Sequence, residues 1–107
     1  MSRTREQPVN IDKPSVVTIR FRVVKRSEIS PIYAEISGDV IAQIYLNNIF
    51  IGKYYDKGSQ KRFYLPEPYL SNDTNELRLI TIPTTMSSKL NISFGAYYTA
   101  RRVEIKL

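Results

Sequence analysis

The chain has 107 residues, of which 16 are Lys or Arg and 10 are Asp or Glu, so its formal net charge is +6. It contains no Cys and no His, which excludes disulfides, thiolate metal sites and catalysis by a Ser–His or Cys–His pair within this chain. Its eight Tyr and four Phe, with no Trp, favour β-strands over helices. No apolar run approaches the roughly 18 residues of a membrane span, so none is predicted.

The alternation of apolar and polar residues begins only after a polar start. Residues 1–14 are predicted to be a flexible lead-in to a single domain at 15–107. Period-two alternation then predicts one strand at 16–24 and another at 32–37.

The next two strands are separated by the most specific local signal. Val40–Leu46 and Ile49–Tyr55 flank Asn47-Asn48, and Asn tolerates positive φ, so a type I′ hairpin is predicted. A two-residue loop would set four cross-strand pairs, which are Leu46–Ile49, Tyr45–Phe50, Ile44–Ile51 and Gln43–Gly52. The glycine in the last pair would leave room for another backbone or ring to lie close.

Four further alternating segments complete the pattern, and no window has sustained helical periodicity. They are residues 61–65, 76–82, 90–94 and 103–107. About eight short strands separated by turn signals predict an antiparallel β-sandwich or barrel. The terminal strands, at 16–24 and 101–107, are expected to pair or lie close together.

A series of short motifs runs from residue 42 to residue 82. In chain order they are Asn47, Gly52-Lys53-Tyr54, Gly58-Ser59-Gln60, Phe63-Tyr64-Leu65-Pro66, Leu70 and Asn75-Glu76. The series resembles the galactose-binding-like jelly-roll accessory domains of β-galactosidases and related glycoside hydrolases. The chain departs from the motifs of that family at three positions, with Asn48 for Gly, Lys53 for Arg and Ser59 for Pro.

The resemblance implies an eight-stranded jelly-roll β-sandwich without an active site of its own. Such a domain would bind a galactoside-type carbohydrate or pack against a glycoside hydrolase catalytic domain, which carries the catalytic carboxylates. Fold alone does not decide between these roles. We therefore predict no catalytic residue, no cofactor and no metal site in this chain.

Tyrosine rings flanked by amide or guanidinium groups are the candidates for sugar contact, because a sugar offers C–H faces and hydroxyls. The ligand-binding candidates are Tyr54 or Tyr55 with Gln60, and Tyr97 or Tyr98 with Arg101. Each has a structural alternative, because adjacent side chains of a strand face opposite sides and one of each pair is expected in the core. Asn47, Gly52 and Tyr54 are expected to shape the hairpin, and the Gln60 and Asn75 amides to fix turns.

Two other functions fit parts of the composition. Basic residues interleave with tyrosines, which suggests a single-stranded nucleic-acid-binding β-barrel. The basic clusters are Arg20, Arg22, Lys25 and Arg26, then Lys57, Lys61 and Arg62, then Arg101 and Arg102. Such a barrel has five strands, fewer than the pattern predicts. The third hypothesis is a structural or assembly module that uses exposed strand edges.

Overall fold

The computed structural model describes residues 4–5, 8–25, 31–96 and 104–106, which form ten strands and one short 3-10 helix. The strands are β1 (Thr4–Arg5), β2 (Val9–Ile11), β3 (Ser15–Lys25), β4 (Ile32–Gly38), β5 (Val40–Leu46), β6 (Ile49–Tyr55), β7 (Arg62–Leu65), β8 (Asn75–Pro83), β9 (Ser88–Ala96) and β10 (Glu104–Lys106). The 3-10 helix spans Glu67–Tyr69. Within this described part of the chain, no helix is long and apolar enough to cross a bilayer.

The strands form two antiparallel sheets. The β4 sheet has the order β1-β9-β4-β7, with β2 also paired to β9, and the β8 sheet has the order β10-β3-β8-β5-β6. The rings of Phe21, in the β8 sheet, and Phe94, in the β4 sheet, have centroids 4.6 Å apart. The predicted antiparallel β-sandwich is confirmed, and the alternative of a five-stranded barrel is wrong because the strands divide into two sheets.

The strands pair as one long hairpin made of four successive strand pairs, and this hairpin is folded over on itself. Going outward from its tip, β5 pairs with β6, β4 with β7, β3 with β8 and β2 with β9. Folding this hairpin over brings β5 beside β8 and β4 beside β9. Eight strands connected in this way make a jelly roll.

The chain termini add two features to the predicted pattern. Strand β10 pairs with β3, which confirms that the terminal strands lie together. Residues 1–14, predicted as a lead-in, contain strands β1 and β2, both paired to β9. Ile11 of β2 is buried in the core, so this strand completes the jelly roll. Three residues give too short an alternation to predict a strand without its partner.

The core lies between the inward faces of the two sheets. Alternation places one side chain in two on that face, and each fully buried aliphatic or aromatic side chain stabilises the fold by about 1.5–3 kcal/mol. The largest fully buried side chains of this core are Tyr54, Phe21, Phe94, Ile11, Ile32, Ile36, Ile44, Leu46, Leu65, Leu77 and Leu79. Tyr33 is also fully buried, but it lies outside this core cluster, under the Arg62 guanidinium.

The Asn47-Asn48 turn forms the predicted hairpin, with φ values of 49° and 70° that suit a type I′ turn. Two of the four predicted pairs are present, Leu46–Ile49 and Tyr45–Phe50. The two pairs farther from the turn are wrong, because the register shifts by one residue between Ile44 and Tyr45. The observed pairs there are Ile44–Gly52 and Gln43–Lys53.

This shift is a β-bulge, and it decides which side chains of β6 reach the core. Alternation continued from Ile49 without a bulge would turn Lys53 inward, where an unpaired charge is costly. With the extra residue, Lys53 is exposed and Tyr54 is buried. A Cβ atom on Gly52 would lie 3.1 Å from the Phe63 ring, so the predicted close approach of a ring to this glycine is confirmed.

The Tyr54 hydroxyl ties the two sheets together at a corner. It accepts a hydrogen bond from the Gly38 N–H and donates one to the Gly38 carbonyl, each at 3.1 Å. Gly38 ends β4 with a φ of 141°, and Val40 begins β5 in the other sheet. A side chain at position 38 would clash with the Lys89 carbonyl, so the corner requires glycine.

Removing the Tyr54 hydroxyl should destabilise the fold, because both backbone groups of Gly38 lose their partner at this corner. We expect Tyr54→Phe to lower the free energy of unfolding by about 1–3 kcal/mol. Tyr55→Phe is the matched control, since the Tyr55 ring is exposed, and should change it by less than about 0.5 kcal/mol. Urea unfolding followed by circular dichroism measures both, and equal losses would contradict the assigned role.

Candidate functional site

The sequence-predicted ligand residues separate in the structure. Tyr54 is only 1% exposed and its hydroxyl is used at the Gly38 corner, so it is a core residue and no longer a candidate for ligand contact. Tyr55 is 47% exposed on the outer face of the β8 sheet. Gln60 lies on a different surface, described next. Three candidates, Tyr97, Tyr98 and Arg101, lie outside the described residues.

An open groove of about 320 Å³ lies between β6 and β7, the edge strands of the two sheets. Three exposed aromatic rings line it: Phe50, which is 52% exposed, Tyr64, 48%, and Tyr69, 38%. The side chain of Gln60 also lines it, so one of the predicted residues belongs to this site. We call this surface the aromatic groove.

Local sequence features explain two of the three rings. Tyr64 stands between Phe63 and Leu65 in β7, so period-two alternation turns it outward while its neighbours enter the core. Phe50 pairs with Tyr45 at the outer side of the hairpin, with ring centroids 5.5 Å apart. The alternation could have identified both rings, but nothing in it places the edges of β6 and β7 side by side.

The third ring is positioned by the tip of the hairpin. Asn47 Nδ2 donates hydrogen bonds to the Tyr69 carbonyl, at 2.7 Å, and to Asn75 Oδ1, at 2.9 Å. Asn47 Oδ1 accepts from the Glu76 N–H at 2.9 Å. One side chain therefore connects the turn to the 3-10 helix and to the start of β8, and it holds the backbone of Tyr69 beside β6.

The buried Asn75 amide extends this network, as expected for a turn-fixing residue. Its Oδ1 also accepts from the Ser71 N–H at 2.7 Å, and its Nδ2 donates to the Ser71 carbonyl at 3.3 Å. Gln60 Nε2 donates to the Arg62 carbonyl at 3.2 Å. The predicted local roles of Asn47, Asn75 and Gln60 are thus confirmed.

Two cations of the predicted basic clusters contact residues beside the groove. The Arg62 guanidinium pairs with Glu35 at 3.0 Å and lies over the Tyr33 ring at 4.5 Å. Lys61 Nζ is 5.9 Å from the centroid of the Tyr54 ring. Within the described part of the chain, the residues that line the groove carry no charge.

The sequence of this chain matches no protein-family model and no curated protein. The likeness to galactose-binding-like domains therefore rests on the motif series alone. The structure explains several members of that series by packing and hydrogen bonding, as at Asn47, Gly52 and Asn75.

The two residues of the turn offer a matched test of the Asn47 network. Both have positive φ, so glycine fits either position, but only Asn47 uses its side chain to join the hairpin to β8. We expect Asn47→Gly to lower the free energy of unfolding by about 1–3 kcal/mol and Asn48→Gly to change it by less than about 0.5 kcal/mol. Urea unfolding measures both, and a larger loss for Asn48→Gly would contradict the network.

Proposed function

We propose that this chain is a non-catalytic carbohydrate-binding or accessory domain like those of β-galactosidases, and that its aromatic groove takes a galactoside-type sugar. The observation that carries the proposal is the convergence of three exposed rings and the Gln60 side chain on one groove. The motif series, which resembles the accessory domains of glycoside hydrolases and includes Gln60 and Tyr64 of the groove, supports the same class of ligand.

The chemistry of the groove suits a sugar. A pyranose ring has faces of C–H groups that pack on aromatic rings, and hydroxyls at its rim that need hydrogen-bond partners. Gln60 Nε2 is used internally, whereas its Oε1 has no hydrogen-bond partner among the described residues and can accept from a hydroxyl. The hydroxyls of Tyr64 and Tyr69 can both donate and accept.

The same features favour a sugar over a nucleic acid. Single-stranded nucleic acids bind to stacking rings that alternate with a positively charged track along the phosphates. The described lining of the groove supplies the rings without the charge. A neutral aromatic groove matches a neutral ligand better than a polyanion.

Isothermal titration calorimetry with galactosides, preceded by a glycan array, tests the proposal. Tyr64→Ala and Phe50→Ala should each weaken binding about tenfold, because each removes a stacking surface worth about 1.4 kcal/mol. Tyr55→Ala is the matched control, since Tyr55 is as exposed as Tyr64 but lies outside the groove, and it should leave the affinity unchanged.

Two results would overturn the proposal. One is the absence of binding to every glycan on the array. The other is an equal loss of affinity in Tyr55→Ala and Tyr64→Ala, which would move the site to the outer face of the β8 sheet. Binding of a single-stranded oligonucleotide that weakens steeply with salt would support the nucleic-acid alternative instead.

A further inference from the structure

A second apolar surface lies on the outer face of the β8 sheet, away from the aromatic groove. Its exposed members are Val16, 61% exposed, Ile82, 54%, Tyr55, 47%, and Ile80, 40%. Ile41, partly buried, lies among them. We call these five side chains the apolar band. It contains four of the large apolar side chains that the described part of the chain exposes.

Strand pairing arranges the apolar band in two adjacent rows. In the first row, Ile82 pairs with Ile41 and Ile41 with Tyr55, across β8, β5 and β6. In the second row, two residues further along each strand and therefore about 7 Å away, Val16 pairs with Ile80. This row continues through Gln43 to Lys53 on β6.

Charged side chains lie on both sides of the apolar band. Beyond the second row, Arg78 pairs with Thr18 and Tyr45 in the next row. Its guanidinium lies 5.3 Å from the centroid of the Tyr45 ring and 3.8 Å from Glu76 Oε2. Beyond the first row is Thr84, whose N–H donates to the Asp39 carbonyl at 2.9 Å and whose hydroxyl donates to Asp56 Oδ2 at 2.7 Å. The Asp56 carboxylate therefore lies beside Thr84.

We propose that two copies of this chain associate through this face, related by a two-fold axis that crosses the strands between the two rows. That operation lays the first row of one copy on the second row of the other, so that Ile82 meets Ile80 of the second copy. Two sheets packed in this way are nearly aligned, which is a common arrangement for sheets in contact. An isologous interface requires such a self-complementary surface.

Charge complementarity favours a second copy as the occupant of the apolar band. The same operation carries Arg78 over Thr84 of the second copy, where the Asp56 carboxylate lies, rather than over another arginine. On β6 it sets Lys53 over the second copy's Tyr55 ring, a cation–aromatic contact that Lys53 already makes with its own Tyr55 at 6.0 Å. The net charge of +6 on each copy opposes association, so the apolar contacts of the band must outweigh this repulsion.

Sedimentation equilibrium of the chain, from about 10 μM to about 1 mM, tests for the dimer. We expect a monomer–dimer equilibrium that Ile80→Lys abolishes, because it buries a charge at the centre of the interface. Asn91→Lys is the matched control, since it adds the same charge at an exposed position on the outer face of the other sheet. Ile82→Ser is a second variant in the apolar band and should also weaken the dimer. Thermal melting checks that each variant is folded.

A charge exchange tests the orientation of the two copies. Arg78→Asp and Asp56→Arg should each weaken the dimer about tenfold, and the double variant should return to within about threefold of the original affinity. A chain that stays monomeric at about 1 mM overturns the proposal. So does an Asn91→Lys variant that dissociates as readily as Ile80→Lys, or a double variant that shows no rescue.

Discussion

The positive φ values of Asn47 and Asn48 are the constraint on which the rest of this fold depends. They make the tight turn at the tip of a hairpin whose successive pairs, from β5·β6 out to β2·β9, build both sheets. The Asn47 side chain then bonds to the Tyr69 carbonyl and the Glu76 N–H. These bonds join the tip of the hairpin to the connection between β7 and β8. They stabilise the folded-over hairpin at its tip.

The bulge in β6 determines how this hairpin packs against the other sheet. Because it turns Tyr54 inward, the Tyr54 hydroxyl reaches the Gly38 corner between the two sheets. It also brings Gly52 against the Phe63 ring of β7, so the two edge strands lie close enough to form a groove. The aromatic groove is thus a consequence of how the sheets are joined, and its rings are held by core packing and by the Asn47 network.

The two exposed apolar surfaces share strand β6 but use different residues. Phe50 contributes to the aromatic groove, whereas Tyr55, at the opposite end of the strand, belongs to the apolar band. A sugar in the groove and a second copy on the outer face of the β8 sheet would therefore not compete for the same side chains. A dimer of this kind would carry two grooves, and binding to a ligand with repeated sugars would gain from both.

Local periodicity in the sequence determined most of the strands and the hairpin turn, because alternation reports which face of a strand is apolar. It did not determine strand β2 or the bulge in β6. Both depend on partners distant in the chain, which are β9 for the first and the inward packing of Tyr54 for the second. Only the tertiary structure decided that Tyr54 is buried and Tyr55 exposed, and that Phe50 and Tyr64 share a groove, because two strand edges must first be brought together. The absence of His and Cys and the excess of Tyr were plain from composition, but only folding decides which tyrosine rings a ligand can reach.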